Sequence, residues 1–374
     1  MIEAADIRSD PLRLRCVRVA WRGRHNRRLL AMGVLLSMLQ LASVAAARGE
    51  PTDSAPDTDH GDPRLWLEDM HRAFAEQSYD GVFTRFAGRD LSTLRIVHMV
   101  IDGEPRERLV HLNGAPRQII RRGGEVTCIV APDDDLLTLS QQLPNGPFAD
   151  VFVRDFSRVS GRYSLSVAGE DRVADRPAVQ LTITPRDRHR YGYRLWLDRD
   201  SRLLLRSELV DADGGRLEFF QFTQIRIGSE VDPASLEPEL FSDSPSSQLK
   251  LTSASPSTEV SSDIGWTPGW LPEGFTRVTA SWHPESGNLR QPLARMLYSD
   301  GLADVSVFIE AAEPARETGA QVLESRDGAT IAITRPVPGS VRSSDSGHLI
   351  TVVGEVPPET ARRIADHMRE GTIP

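Results

Sequence analysis

The spacing of apolar residues changes period early in the chain. Trp66, Met70, Ala73 and Phe74 recur every three to four positions, which predicts one apolar helical face. Asp62-Pro63 stands in front of them, an acidic cap followed by proline at the first helical position, and Ser78 marks the end. From Tyr79 the period falls to two. Alternation over 82–86, 91–100, 107–112, 118–122 and 125–130 predicts strands, separated by hairpin signals at Asp102-Gly103, Asn113-Gly114 and Gly123-Gly124. The pattern resumes over 179–184, 191–198, 203–209 and 217–227, with Asp213-Gly214-Gly215 as a further turn, and 148–158 can hold a short helix. About nine strands behind one helix predict a large, strongly bent antiparallel sheet.

Several of these strands are apolar on both faces. Leu217 and Phe219 point one way, Phe220 and Phe222 the other; Tyr193, Leu195 and Leu197 share a face while Trp196 lies opposite. A solvated antiparallel sheet is polar on one side. The helix covers one face, and a further element or a bound apolar ligand covers the other. Tyr193, Trp196, Phe220 and Phe222 are thus candidates for an apolar cavity or for ordinary core.

The sheet pattern stops near residue 232. Residues 233–263 carry ten serines and four prolines with few apolar anchors, the composition of a linker. As a flexible chain, residues 242–263 would span roughly 26 Å, so two domains could reorient unless an interface holds them. Alternation returns over 277–282, 295–299, 303–310, 330–334 and 349–353, and Pro357-Pro358-Glu359 starts a last helix with Ala361, Ile364, Ala365 and Met368 on one face. Residues 264–374 therefore read as a small α+β domain behind a larger one over 62–232.

Charge redraws the amino terminus. The 374-residue chain has a net charge of −9. Residues 1–47 hold eight arginines against Glu3, Asp6 and Asp10, a net of +5. A 13-residue apolar run, 29–41, and small residues ending Ala45-Ala46-Ala47 follow. This order is that of a cleavable secretory signal peptide, and the run is short for a membrane span. The polar, Asp- and Pro-containing stretch 48–61 then reads as a disordered leader. The mature chain carries 36 basic and 50 acidic residues, a net of −14. That field disfavours nucleic acid. It also keeps only Cys128, which excludes an internal disulfide, a four-cysteine zinc site and a CxxC redox role. Lys250 is the only lysine, which removes P-loop and Schiff-base chemistry.

No nucleophile elbow, HExxH or GxGxxG motif occurs. His98 and His111 flank a hairpin and could meet Cys128, a thin metal set, and Asp133-Asp134-Asp135 reads as a solvated turn. Neither supports catalysis, a metal or a cofactor. One segment stands against the acidic background: Pro185-Arg-Asp-Arg-His-Arg-Tyr-Gly-Tyr-Arg-Leu-Trp-Leu-Asp198. Guanidinium groups fork onto carboxylates and phosphates and stack on rings. Arg186, Arg188, Arg190 and Arg194 are therefore candidate contacts for a partner or a lipid headgroup; the alternative is a charged sheet edge guarded against aggregation.

The same segment, with Leu203-Leu-Leu-Arg-Ser-Glu-Leu209, resembles the MucB/RseB family of envelope-stress regulators. So do Tyr79-Asp-Gly-Val-Phe83, Ser92-Thr-Leu-Arg95 and 107–117, and in the second domain Trp270-Leu-Pro-Glu-Gly-Phe275, Tyr298-Ser-Asp-Gly-Leu302 and 352–358. The resemblance covers 62–374. It implies a half-open barrel like that of the lipoprotein carriers LolA and LolB, with a helix lid over an apolar cavity and a smaller α+β domain attached. It implies a periplasmic protein that is not an enzyme. The expected partner is the periplasmic part of a transmembrane anti-sigma factor of the MucA/RseA type, shielded from site-1 proteolysis and released by lipid-bearing envelope molecules. A lipid or lipoprotein carrier is the alternative, and homo-oligomerisation stays open.

Overall fold

A computed structural model describes residues 61–123, 125–130, 161–238, 247–252, 264–283, 293–311, 322–337 and 347–371; for 247–252, 283 and 293 it describes the backbone alone. The expected signal peptide, the leader as far as residue 60, the helix at 148–158 and the acidic triplet Asp133–Asp135 lie outside these residues.

Helix α1 (Pro63–Glu76) forms as its cap and spacing demand. The Asp62 carboxylate accepts the Arg64 amide hydrogen at 2.9 Å, satisfying one orphan donor, and Pro63 sits where its missing N–H costs nothing. Trp66, Leu67, Met70, Ala73 and Phe74 are buried along one stripe.

Strands β1 (Tyr79–Ala87), β2 (Asp90–Ile101), β3 (Glu104–His111), β4 (Arg117–Arg122) and β5 (Glu125–Val130) form one meander. A second comprises β6 (Tyr163–Val173), β7 (Arg176–Pro185), β8 (Gly192–Asp198), β9 (Leu204–Val210) and β10 (Arg216–Ile227). The meanders join through the antiparallel pair β1–β10, and β11 (Ser247–Thr252) adds to β5. The order is β11-β5-β4-β3-β2-β1-β10-β9-β8-β7-β6. β10 and β6 stand four places apart, about 19 Å in a flat sheet at ~4.8 Å per place. Their Cα atoms nevertheless come within 8 Å, so the sheet curls, and its two end strands leave it half-open. Register shifts at Val82/Phe83, Val167/Gly169, Trp196/Leu197 and Arg216/Glu218 supply the bending. Helix α1 lies inside the curl, against β2 and β6.

In the large sheet, two strands go beyond the sequence pattern. β6 reads poorly because Tyr163, Leu165 and Val167 alternate only until Gly169, whose φ of +139° marks a bulge. β11 lies within the stretch read as linker; its pairing from Ser247↔Val130 to Thr252↔Glu125 anchors that stretch to the large sheet.

In the second domain, β12 (Trp266–Pro268) pairs with β19 (Met368–Glu370). The other strands are β13 (Thr276–His283), β14 (Leu293–Ser299), β15 (Asp304–Ala311), β16 (Leu323–Asp327), β17 (Thr330–Val337) and β18 (His348–Gly354). They form an antiparallel sheet in the order β13-β14-β15-β18-β17-β16. Helix α2 (Pro358–Asp366) packs on β17 and β18, burying Ala361, Ile364 and Ala365. β16 is exposed at all five positions, which is why no alternation announces it. The described residues of both domains belong to one unit, Thr58–Pro374.

Candidate functional site

The segment entering β8 carries the arginines singled out above, and it runs into the second domain. Arg190 is fully buried at its side chain. One guanidinium nitrogen pairs closely with Asp300, itself buried, and another donates to the Glu273 carbonyl at 2.7 Å. Its Nε donates to the Asp187 carboxylate at 3.1 Å. The Tyr163 hydroxyl donates to the same Asp300 oxygen at 2.9 Å, and burial first, then Asp300, push that hydroxyl far above its ordinary pKa. The Tyr163 and Phe275 rings face the guanidinium at 5.5 and 5.2 Å. Asp300 is held in turn by the Leu302 and Ala303 amides at 2.9 and 2.8 Å. This is a charge taken out of water with most of its hydrogen bonds replaced.

Next to it, His189 meets Trp270 edge to face at 5.1 Å, and its Nδ1 lies 3.2 Å from the Thr360 hydroxyl. A second junction lies at the β1–β2 and β16–β17 turns. The Ala329 amide donates to Glu218 at 3.1 Å, and Leu302 and Ala329 join the core of the large domain. Gly328 (φ +58°) must be glycine here: a Cβ would stand 2.5 Å from the Gly88 nitrogen.

The arginines therefore divide. Arg186 and Arg188 are exposed. Arg190 is enclosed at the domain junction. Arg194 lies on the outer face of the sheet, where its guanidinium reaches Glu208 at 3.4 Å and the Gly214 carbonyl at 3.2 Å. Burial alone would raise the Glu208 carboxyl, but Arg206 and Arg216 outweigh it and hold the group below the usual range. These four residues thus form no single open patch. The aromatic candidates divide too. Phe220 and Phe222 pack with Phe83 at 4.9 and 5.7 Å, in the same core as Tyr193 and α1. Trp196 is buried on the opposite side of β8 from Tyr193; its Nε1 donates to Asp171 at 2.8 Å and Arg206 covers its ring at 4.2 Å.

His98 does not gather with His111 and Cys128. It pairs through Nδ1 with Glu107 at 3.0 Å and stacks on Tyr79 at 4.9 Å; Arg121 lies 3.6 Å from the other Glu107 oxygen. Among the described residues, no group of three or more His, Cys, Asp or Glu side chains could hold a metal ion. Sequence reasoning missed Asp300, Glu273 and Tyr163 as partners of Arg190. Asp300 enters the sequence reading only through its place in the Tyr298–Leu302 motif.

Comparison with known proteins covers both domains. The model of the MucB/RseB N-terminal domain matches residues 62–240, and that of the MucB/RseB C-terminal domain matches 260–369. The sigma factor AlgU regulatory protein MucB of Pseudomonas aeruginosa is 37% identical over 319 residues, 84% of this chain and 93% of that protein. The sigma-E factor regulatory protein RseB of Escherichia coli K12 is 30% identical over 311 residues, 82% of this chain and 90% of that one. A crystal structure of MucB in complex with MucA(peri) is matched at 33% identity with a TM-score of 0.63, over 83% of this chain and all of that one. With both domain models matched in order, and with relatives aligned across the domain junction, this chain belongs to the MucB/RseB family.

Proposed function

We propose that this chain is a periplasmic regulator of an envelope-stress sigma factor. It binds the periplasmic part of a transmembrane anti-sigma factor of the MucA/RseA type and shields it from site-1 proteolysis. It acts by binding, without a reaction of its own. The observation that carries this reading is the match to MucB crystallised with MucA(peri), which spans the whole of that chain and takes in both domains here. The amino-terminal basic, apolar and small-residue order supports export.

Lipid-bearing envelope molecules release the partner. An acyl chain gains at most ~0.8 kcal/mol per buried methylene, so a dozen methylenes rival a moderate protein contact. Tyr193, Phe220 and Phe222, buried in the core beneath α1, are the groups such a chain would meet. Arg186 and Arg188 are the accessible arginines for a headgroup or for the partner, while Arg190 holds the segment from within and Arg194 holds it from the outer face of the sheet.

The test uses the mature chain, residues 48–374, with the periplasmic segment of the anti-sigma factor from the same genome. Co-purification and slower cleavage by the site-1 protease are expected, with cleavage restored by added lipid. Absence of both binding and protection would overturn the reading. Equal partner and lipid binding by the R186S/R188S double variant would remove those two arginines from it.

A further inference from the structure

We propose that His189 makes the docking of the two domains sensitive to pH: neutral, it seats the 185–191 segment against Trp270 and Thr360; protonated, it drives the domains apart. The geometry places the imidazole where a new positive charge is poorly received. On its own segment stand Arg188 and Arg190, and its amide donates to Asp187 at 2.8 Å. From helix α2, Arg363 lies 4.0 Å over the Trp270 ring, and Thr360 meets the imidazole itself. His367 stands on Trp270 as well, at 6.5 Å. Asp187 is the carboxylate that faces His189, and Arg190 already draws on both of its oxygens, at 3.1 and 3.0 Å. Burial, and then Arg363, Arg190 and Arg188, accordingly hold the imidazole below its ordinary value of 6.5, against the pull of Asp187.

The linkage has a definite sign. The docked state prefers neutral His189, and an undocked imidazole regains its ordinary affinity for protons. Docking is therefore at full strength above about pH 6.5 and weakens as pH falls below it, by at most about tenfold in the docked-to-undocked ratio per pH unit for one titrating group. One charge can tip this balance because the junction is polar at its centre. A buried ion pair such as Arg190–Asp300 fixes register but returns little net free energy after desolvation.

This inference stands apart from the regulatory function, because its readout is the separation of the domains in the isolated protein. The mature chain would carry S166C and S325C, at exposed positions of β6 and β16, for a fluorescent donor and acceptor. Transfer efficiency would be followed from pH 8 to 5 beside the radius of gyration from X-ray scattering. A fall in transfer with acid, largely abolished by H189Q, supports the proposal; glutamine can still hydrogen-bond Thr360 but does not titrate. If the chain stays docked throughout, the D300N background, in which docking is weakened, decides. An acid response there that H189Q removes supports the proposal. A flat profile, or one unchanged by H189Q, overturns it. Far-UV circular dichroism across the series separates domain opening from unfolding.

Discussion

The large domain makes two contacts of interest, one with its own helix and one with the second domain, and they are built from different chemistry. Beneath α1, Leu67, Met70 and Phe74 lie in one apolar core with Phe83, Phe220 and Phe222. At the domain junction the centre is a guanidinium, a carboxylate and a phenol; among the described residues of the second domain, Leu302 and Ala329 add to the apolar core. Apolar burial gains free energy in proportion to area and tolerates no water. A polar junction gives register while returning little net energy, and its groups can be rehydrated when it opens. The first contact is suited to permanence and the second to being reversed.

The sharpest way to break this comparison is to remove apolar volume from the first contact. F83A should cost about 3–5 kcal/mol, since Phe83 is fully buried between two other phenylalanines, and should lower the urea midpoint of the whole large domain. If F83A left the midpoint unchanged, the helix–sheet core would not be the stabilising contact. D300N should have a smaller and different effect. It leaves Arg190 buried without its main counter-charge in the docked state, at a cost of about 3 kcal/mol, so docking should weaken and the separated population should rise. Limited proteolysis should then cut faster between the domains, with the unfolding midpoint of the large domain preserved. A drop in that midpoint as large as that of F83A would erase the distinction. The smallest effect tests the rim of the first contact. Arg202 lies 3.5 Å over the Trp66 ring and 3.8 Å from Asp69, so R202A should cost about 1 kcal/mol. A cost comparable to that of F83A would mean that the helix is held by its edge, not its core.

Much of the fold was legible along the chain. The Asp62-Pro63 cap, the stripe of α1 and both hairpin meanders follow from local period and turn chemistry, and every strand of those meanders except β6 overlaps an alternating run. The exceptions have physical causes. β6 has its alternation broken at the Gly169 bulge, β11 lies in a serine-rich stretch that pairing alone makes a strand, and β16 is exposed on both faces. The candidate site was legible only as an unusual density of arginine. Which of those arginines stay open depends on partners 14 to 110 positions away.

The sequence by itself determined most of the elements, the two domains and the family, because capping, periodicity and motif order are written in neighbouring residues. Only the tertiary structure decided the fate of each charge. Arg190 and Arg194 are four residues apart, alike in type and in local setting. One is enclosed by Asp300 and Glu273 of the second domain, and the other rests beside Glu208 on the sheet. Burial and counter-charge arise from chain segments distant in sequence, and no local pattern records them.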